Sequence, residues 1–347
     1  MGASGRSPAR PAVVAIGDLH GYYPALKALL EAIDGRYRIF DPGTPDALAA
    51  GVRLVLTGDY IDRGSSALAI IERLRQLEER SAPGQVVTLL GNHELLALEA
   101  FDTARALARE GRPGALERYG ELTIHGDPQN GGQRFLREFG PTEEAALESY
   151  ARRMARGGDV GDWIRTLLPI YDARIAGRKV LFLHADLAEP LRDERALQRA
   201  REEVENALKP TTAERGGSVR KYRHPRLMSP ASFFWNHSFW RLEDASPEEA
   251  ARICEQAGVD MIVTGHTARP PRITCYGGRI FDLDVGMSPW FWRSPDRPNP
   301  PWALLMWENG RIAAFSAGGE EEEFVPARRR SSSPRPGASG KGRSRAP

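Results

Sequence analysis

The stretch "VVAIGDLHG" (Val13–Gly21) decides the fold. Its four leading apolar residues are typical of a strand in a parallel sheet, which is covered on both faces and therefore reads as a continuous hydrophobic run. After Gly17 the chain carries Asp18 and His20, two positions apart. A turn needs a glycine or an aspartate, but it does not need a histidine two residues after the carboxylate. In an extended segment, residues two apart face the same side, so Asp18 and His20 are predicted to face one metal ion.

The succession of strand and helix continues along the chain. "VRLVLT" precedes "SSALAIIERLRQLEER", in which Leu68, Ile71, Leu74 and Leu77 recur at helical spacing, and "VVTLL" precedes "ELLALEAF". This β-α-β-α-β order predicts a largely parallel sheet in an α/β fold. "KVLFLHAD" and "DMIVTGHT" predict two more buried strands. Gly-Gly and Asn-Gly predict hairpins in "RITCYGGRIFDLDVG" and "ALLMWENGRIAAFS".

Composition suggests one folded domain between two tails. We expect a flexible N-terminal tail at 1–10, a domain at 11–325 and a disordered basic tail at 326–347. The last segment is rich in Ser, Pro, Gly and Arg and cannot bury enough apolar surface to fold. Residues from about 100 to 170 are predicted to be mostly helical, with a break at "HGDPQNGGQ", and to form a cap inserted after the third strand.

The overall balance of residues is that of a globular protein. Hydrophobic residues make up 41% of the 347 and charged residues 27%. No apolar run approaches the roughly 18 residues of a membrane span, and Cys254 and Cys275 are too few for a disulfide framework. We therefore expect a cytoplasmic protein. The net charge is +2, but the tail holds seven basic residues and no acidic one, so the remainder is near −5. The folded part thus shows no nucleic-acid signal; the tail either aids solubility or contacts acidic partners.

Five predicted strands end in polar motifs. The motifs are GDLHG (Gly17–Gly21), GDYIDRG (Gly58–Gly64), GNHE (Gly91–Glu94), HAD (His184–Asp186) and GHT (Gly265–Thr267). Loops at the carboxyl ends of strands form the sites of open α/β folds. Six metal donors stand in these loops: Asp18, His20, Asp59, Asn92, His184 and His266. Carboxylate, amide and imidazole together suit Mn²⁺, Fe or Zn²⁺. Six ligands suffice for two divalent ions if one carboxylate bridges them.

These motifs resemble the GDxHG, GDxxDRG and GNHE signatures of the metallophosphoesterases, the calcineurin-like superfamily, and specifically its phosphoprotein-phosphatase branch. "GHT" and the later "DLDVGMS" make the Shewanella-like protein phosphatases the most similar members. The resemblance extends from about Val13 to Ser288. It implies an α/β/β/α sandwich, in which two packed mixed β-sheets are flanked by helices, with a helical insertion and a catalytic domain at 11–325.

The resemblance also implies a role for each motif residue. Asp18, His20 and Asp59 would bind the first metal ion; Asp59, Asn92, His184 and His266 would bind the second, with Asp59 bridging. Arg63 would bind phosphate, and His93, oriented by Asp62, would protonate the leaving oxygen. A second phosphate-binding arginine is expected upstream of His266, with Arg241 as the candidate and Arg223 and Arg226 as rivals. A hydroxide bridging two cations forms near neutral pH and would attack phosphorus in line.

The chain departs from the family pattern at "HAD", where the family usually has His-Gly-Gly. Asp186 is expected either to adopt the positive φ of the missing glycine, which Asp tolerates better than most residues, or to add a carboxylate near the site. Glu94 and Asp284 are expected to support the site or the fold. His125, His224 and His237 are predicted to be surface residues. The aromatic residues at 233–235, 239 and 240 are expected either to line a substrate groove or to pack the cap.

Three functions are compatible with these motifs. The first is a metal-dependent phosphatase acting on a phosphoprotein, at serine, threonine or tyrosine, or on a small phosphate ester. The second is a hydrolase of dinucleoside polyphosphates on the same fold. The third is a phosphate-binding protein that has lost catalysis through its altered "HAD" loop. Each motif alone has an ordinary structural explanation, such as Asn92 capping a helix; their joint occurrence in this order indicates chemistry.

Overall fold

The computed structural model describes residues 9–208, 225–239, 242 and 247–325. Its strands are β1 Val13–Ile16, β2 Arg53–Leu56, β3 Val86–Thr88, β4 Ile170–Ile175, β5 Arg178–Leu183, β6 Met261–Thr264, β7 Thr274–Tyr276, β8 Ile280–Asp282, β9 Trp302–Met306, β10 Ile312–Ser316 and β11 Glu321–Phe324. Its α-helices are α1 Tyr23–Tyr37, α2 Ala67–Arg80, α3 Asn92–Glu110, α4 Ala115–Leu122, α5 Gly132–Arg137, α6 Glu143–Met154, α7 Asp159–Thr166, α8 Glu194–Leu208, α9 Pro225–Met228 and α10 Pro247–Gln256.

The first sheet has the order β11-β10-β9-β1-β2-β3. Strands β1, β2 and β3 are parallel, with Val14 opposite Leu54 and Leu54 opposite Val86. Strand β9 is antiparallel to β1 and forms the expected Asn-Gly hairpin with β10. The predicted β-α-β-α-β unit is therefore confirmed, because β1 to β3 alternate with α1 and α2.

The second sheet has the order β4-β5-β6-β8-β7. Strands β5, β6 and β8 are parallel, while β4 and β7 pair antiparallel with their neighbours at the two edges. The largely parallel arrangement expected from the element order is thus wrong for both complete sheets. Short hairpin connections, such as Gly277-Gly278 between β7 and β8, reverse the chain direction and make the sheets mixed.

The two sheets face each other across a shared apolar core. Phe281 of β8 packs against Phe324 of β11, with ring centroids 5.4 Å apart. Arg53 of β2 extends over the ring of Tyr171 of β4. On the outside, α1 and α2 cover the first sheet, and the Lys179–Glu194 ion pair ties α8 to the second. The expected α/β fold with two packed mixed sheets is confirmed.

Helices α3 to α7 lie between β3 and β4 and form the insertion. Its two ends are held together where Leu90 donates its N–H to Leu168 and Leu168 donates to Thr88. The insertion contacts the site side of the domain through Glu138, whose carboxylate accepts the N–H groups of Ala67 and Leu68 at the start of α2. An acidic group is favoured there by the helix dipole. The insertion is thereby fixed next to the loop that precedes α2.

Some predicted features fall outside the part of the chain that the structure describes. These are residues 1–8 of the N-terminal tail, the basic tail at 326–347, and the positions of Arg223, His224, Trp240 and Arg241. Arg226 lies in α9, but its side chain is not described. Within the described ranges, no helix combines the length and the apolar character needed to traverse a bilayer.

Candidate metal centre

The polar motifs all follow strands at the carboxyl edges of the two sheets. Strands β1, β2 and β3 are adjacent in the first sheet, and β5 and β6 are adjacent in the second. Because parallel neighbours end at the same edge, their loops meet in one place. Six predicted donors are brought together there, namely Asp18, His20, Asp59, Asn92, His184 and His266. Five of them are almost completely buried, and His266 is partly exposed.

The Asp59 carboxylate lies between two histidines. Its Oδ2 is 3.5 Å from Nε2 of His20, and its Oδ1 is 3.4 Å from Nε2 of His184. The donor atoms form two groups that share this carboxylate, one with His20 and His93, the other with His184 and His266. One carboxylate with an oxygen toward each group is the arrangement that a bridge between two ions requires.

Asn92 completes the second group. Its Oδ1 lies 2.8 Å from Nε2 of His184 and 3.1 Å from Nδ1 of His266. When the amide is turned over, its NH₂ group instead faces both nitrogens and the Asp59 carboxylate. In either orientation of the amide, these donor atoms converge on one small space.

Asp18 has a buried carboxylate oxygen without a hydrogen-bond partner at this centre. Its Oδ2 accepts the backbone N–H of His266 and lies 4.0 Å from Nε2 of His20, whereas the buried Oδ1 has no hydrogen-bond partner. Burial raises the pKa of Asp18 well above its ordinary value, and the nearby Asp284 and Asp59 raise it further. A divalent cation would supply both the missing partner and the missing positive charge.

The imidazoles are held in the neutral form that binds metals. Burial lowers the pKa of His20, and the neighbouring Arg63 lowers it further. Burial likewise lowers the pKa values of His184 and His266. His184 directs its Nδ1 to the carbonyl oxygen of Thr57, which leaves Nε2 facing the centre. Neutral imidazoles beside repelling carboxylates form a donor set that suits divalent cations.

The backbone at the centre is turned rather than extended. Strand β1 ends at Ile16, and His20 has φ 41°. Asp18 and His20 therefore meet because the chain turns here; the expectation that they share one face of an extended segment is wrong. Asp59 and His266 also have positive φ, at 55° and 72°. Such backbone is unfavourable for side-chain-bearing residues and is concentrated at functional sites. A Cβ on Gly91 would come within 2.2 Å of Asp59 Oδ1, which explains the glycine of the third motif.

Three of the predicted catalytic side chains lie next to this centre. His93 contacts Asp62, with Nδ1 2.6 Å from Oδ2, and its Nε2 lies 3.9 Å from Oδ2 of Asp59. Burial acts to raise the pKa of Asp62, but the adjacent His125 and His93 outweigh it and lower the pKa overall. Arg63 places Nη1 2.9 Å from Nε2 of His20, while its guanidinium lies over the ring of Phe291.

Two other histidines also contact the site. His125 was expected on the surface, and this is wrong: it is fully buried in the insertion, with Nε2 2.9 Å from Oδ1 of Asp62. His237 is exposed as expected, yet its Nε2 is 3.2 Å from Nε2 of His266. No spacing in the sequence indicates either contact, because each histidine reaches the site from an irregular segment.

Asp186 shows how the altered "HAD" loop is accommodated. Its φ is not positive, so the first expectation for this residue is wrong. Its Oδ2 instead accepts the backbone N–H of Phe239 at 2.6 Å, and its own N–H donates to Asn236. Phe233 and Phe239 are buried, so these two residues of the aromatic cluster serve packing. Asp186 therefore anchors the segment that carries His237.

Comparisons with known proteins agree with this geometry. A family model described as "Calcineurin-like phosphoesterase" matches residues 11–270. A symmetrical bis(5'-nucleosyl)-tetraphosphatase of Methylococcus capsulatus is 39% identical over 84 residues, which are 24% of this chain and 24% of that protein. Serine/threonine-protein phosphatase 2 of Salmonella typhimurium is 35% identical over 88 residues, 25% of this chain and 32% of that protein. The chain thus spans about a quarter to a third of the length of these two curated relatives.

A solved structure is similar over a much longer stretch. The cold-active protein-tyrosine phosphatase of a psychrophilic Shewanella species superposes with a TM-score of 0.59 and 20% sequence identity, covering 90% of this chain and 80% of that one. At this identity the similarity supports the fold alone. The family match, by contrast, extends over most of the sequence and confirms the resemblance of the motifs. The chain belongs to the calcineurin-like phosphoesterase family.

Proposed function

We propose that this protein is a two-metal phosphomonoesterase that hydrolyses phosphoproteins, at serine, threonine or tyrosine, or small phosphate esters. The observation that carries the proposal is the position of Asp59, whose two carboxylate oxygens face His20 and His184 on opposite sides. The calcineurin-like phosphoesterase family uses a dinuclear metal centre, and the donor set here fits one. In such a centre two ions act together on one phosphoryl group.

The residues divide into two ligand sets with one shared member. Asp18, His20 and Asp59 would hold the first ion, and Asp59, Asn92, His184 and His266 the second. When bound, the two ions lower the pKa of a water molecule and neutralise charge on the phosphate. Nδ1 of His93 is occupied by its short contact with Asp62. Its ring therefore has one nitrogen engaged and the other, Nε2, available to a substrate.

The remaining residues have separate roles in the hydrolysis. The guanidinium of Arg63 would bind the phosphate oxygens, for which its planar donors are well suited. An oxygen from water bonds to phosphorus as the bond from phosphorus to the leaving oxygen breaks. The leaving oxygen then takes a proton from Nε2 of His93, and the proton of the water passes to solvent. Asp62 orients His93 through the contact with Nδ1. Arg241, predicted as a second phosphate ligand, remains a prediction.

Hydrolysis of dinucleoside polyphosphates is the second candidate. It is favoured by the local similarity to the bis(5'-nucleosyl)-tetraphosphatase, which is 39% identical over 84 residues. The same ligand set would serve, since only the group attached to the phosphate differs. The half-exposed Phe291 lies under the guanidinium of Arg63, and the exposed Trp290 before it lies under that of Arg134. Both aromatic residues would contact either leaving group.

A turnover comparison tests these proposals. The purified protein, loaded with Mn²⁺, is assayed on p-nitrophenyl phosphate, phosphopeptides and diadenosine tetraphosphate. We expect turnover of the first two, and its loss in Asp59→Asn. The surface variant Asp172→Asn is the matched control, because Asp172 is an exposed residue of β4 that pairs with Arg201 of α8. Faster turnover of diadenosine tetraphosphate would select the second candidate. Binding of metal and phosphopeptide without turnover would indicate a phosphate-binding protein, and full activity of Asp59→Asn would refute the two-metal assignment.

A further inference from the structure

Asp62 is contacted by a histidine at each of its two carboxylate oxygens. Oδ2 lies 2.6 Å from Nδ1 of His93, and Oδ1 lies 2.9 Å from Nε2 of His125. The other ring nitrogen of His125, Nδ1, lies 2.5 Å from the hydroxyl of Tyr119. All four side chains are buried. The pair of Asp62 and His93 is thus one end of a four-membered chain that continues into the insertion.

The hydrogen-bond directions in this chain follow from what each group can donate. An ionised carboxylate only accepts, so Nδ1 of His93 and Nε2 of His125 must each carry a proton. In neutral His125, Nδ1 is then an acceptor, and Tyr119 donates its hydroxyl proton to it. Tyr119 thereby fixes the tautomer of His125, and His125 donates a hydrogen bond to Oδ1 of Asp62, the oxygen that His93 does not contact. Without His125, Oδ1 would be a buried acceptor with no partner, which is unfavourable.

The backbone of the insertion holds this chain against the catalytic loop. Arg134 of α5 donates from Nη1 to the carbonyl oxygen of Arg63, the residue after Asp62. Gly131, with φ 74°, lies so close that a Cβ would come within 2.7 Å of the Arg63 nitrogen. Gly132 donates its N–H to the carbonyl oxygen of His125. The Gly-Gly pair of "DPQNGGQ" therefore brings His125 and the loop of Asp62 into contact.

We propose that His125 and Tyr119 are positioning residues for the phosphoryl-transfer site, which hold Asp62 so that His93 presents Nε2 to the leaving oxygen. Neither residue touches substrate or metal in this role. The inference rests on the proposed function, in which His93 gives its proton to that oxygen. The insertion thereby takes part in the chemistry, because Tyr119 and His125 both lie between β3 and β4.

The dependence of the rate on the leaving group tests this proposal. A general acid matters most for a leaving group of high pKa, so phenyl phosphate needs it more than p-nitrophenyl phosphate. In the full-length Mn²⁺ protein, we expect His125→Phe to lower kcat on phenyl phosphate by on the order of 10²-fold. The loss on p-nitrophenyl phosphate should be several-fold smaller, with KM and metal content unchanged. His125→Gln, whose amide can donate to Asp62, should recover most of the rate.

Tyr119→Phe should also lower kcat on phenyl phosphate more than kcat on p-nitrophenyl phosphate, but by a smaller factor than His125→Phe. Tyr37→Phe is its control, because it also removes a buried hydroxyl, here one bonded to Glu321 in another part of the domain. Equal losses on both substrates, or unchanged rates in His125→Phe and Tyr119→Phe, would overturn the proposal. If His125→Phe does not fold, His125→Gln and Tyr119→Phe decide.

A readout without turnover separates this inference from the proposed function. If the wild-type protein hydrolyses neither substrate, the proposed function fails. The ring nitrogens of ¹⁵N-labelled histidines are then measured by NMR in wild-type protein and Tyr119→Phe. A single His93 form protonated at Nδ1 that becomes averaged in the variant supports the positioning role; an identical His93 signal in both proteins contradicts it.

Discussion

The carboxylate of Glu94 binds the backbone of Asp59: Oε2 accepts the N–H of Asp59 at 3.0 Å, and Oε1 accepts that of Tyr60 at 2.9 Å. The same side chain accepts the N–H of Gly91 at the start of α3. Two motifs that are 35 residues apart are therefore joined by one buried carboxylate. Glu94 thus binds the backbone that carries Asp59, which fits the expectation that Glu94 supports the site or the fold.

Replacing Glu94 should damage the fold more than the chemistry. In Glu94→Ala, buried N–H groups lose their acceptor, so we expect the free energy of unfolding to fall by about 3 kcal/mol or more. Glu94→Gln keeps one acceptor oxygen and should lose less. Urea unfolding of the metal-free proteins measures the difference, with the exposed Glu72→Ala on α2 as control. A Glu94→Ala protein as stable as Glu72→Ala would show that water replaces these bonds.

Metal removal should lower stability as well as activity. Without cations, Asp18 and Asp59 repel each other in a buried space, and Asp18 Oδ1 has no partner. Binding of an ion to the folded state alone adds about 2.7 kcal/mol per site when the ion is at 100 times its Kd. We expect chelation by EDTA to lower Tm and Mn²⁺ to restore it.

The Mn²⁺-dependent shift in Tm should shrink in Asp59→Asn, because the shared ligand is lost. In Asp172→Asn it should equal that of wild type. Differential scanning calorimetry with and without EDTA gives both values. A Tm that does not respond to Mn²⁺ in the wild-type protein would argue against a metal centre formed by these residues.

Arg63 should contribute to phosphate affinity. Its guanidinium is held between His20 and the ring of Phe291, so it is fixed before any ligand arrives. We expect Arg63→Ala to lower kcat/KM by about 10²-fold, the range of a charge-assisted bidentate contact. The Ki of inorganic phosphate should rise in parallel. Arg73→Ala, which removes an arginine that pairs with Asp46 on the surface, should change neither value.

Asp186 should affect the pH dependence of stability. Burial raises the pKa of Asp186 to about 7. This pKa exceeds the unfolded value of about 3.9. The contribution of protonated Asp186 to the free energy of unfolding is therefore fully present below pH 4 and is lost as the pH rises through 7. Asp186→Asn keeps an acceptor for Phe239 without the charge. Between pH 5 and pH 8, the Tm of the variant should therefore rise relative to the Tm of the wild-type protein. A pH-independent difference would contradict the raised pKa.

The individual elements could be predicted because their signals are local. Residues 13–16 are apolar and end at a glycine, so they form a buried strand wherever the sheet lies. In α2, Ile71, Leu74 and Leu77 face the core, as their spacing indicates. The six donors could be proposed for the same reason, since each stands directly after such a strand. The mixed character of both sheets depended instead on which strands pair, which is a long-range property.

The short sequence motifs by themselves determined the kind of chemistry: which strands end in donors, and that these donors suit two divalent ions. Only the folded chain decided which side chains support them. Whether His125 lies on the surface or against Asp62 depends on how the insertion packs on a loop 63 residues away. No local pattern encodes that contact, because contacts between remote segments arise from the joint packing of the whole core. Periodicity in the sequence reports only on neighbours along the chain.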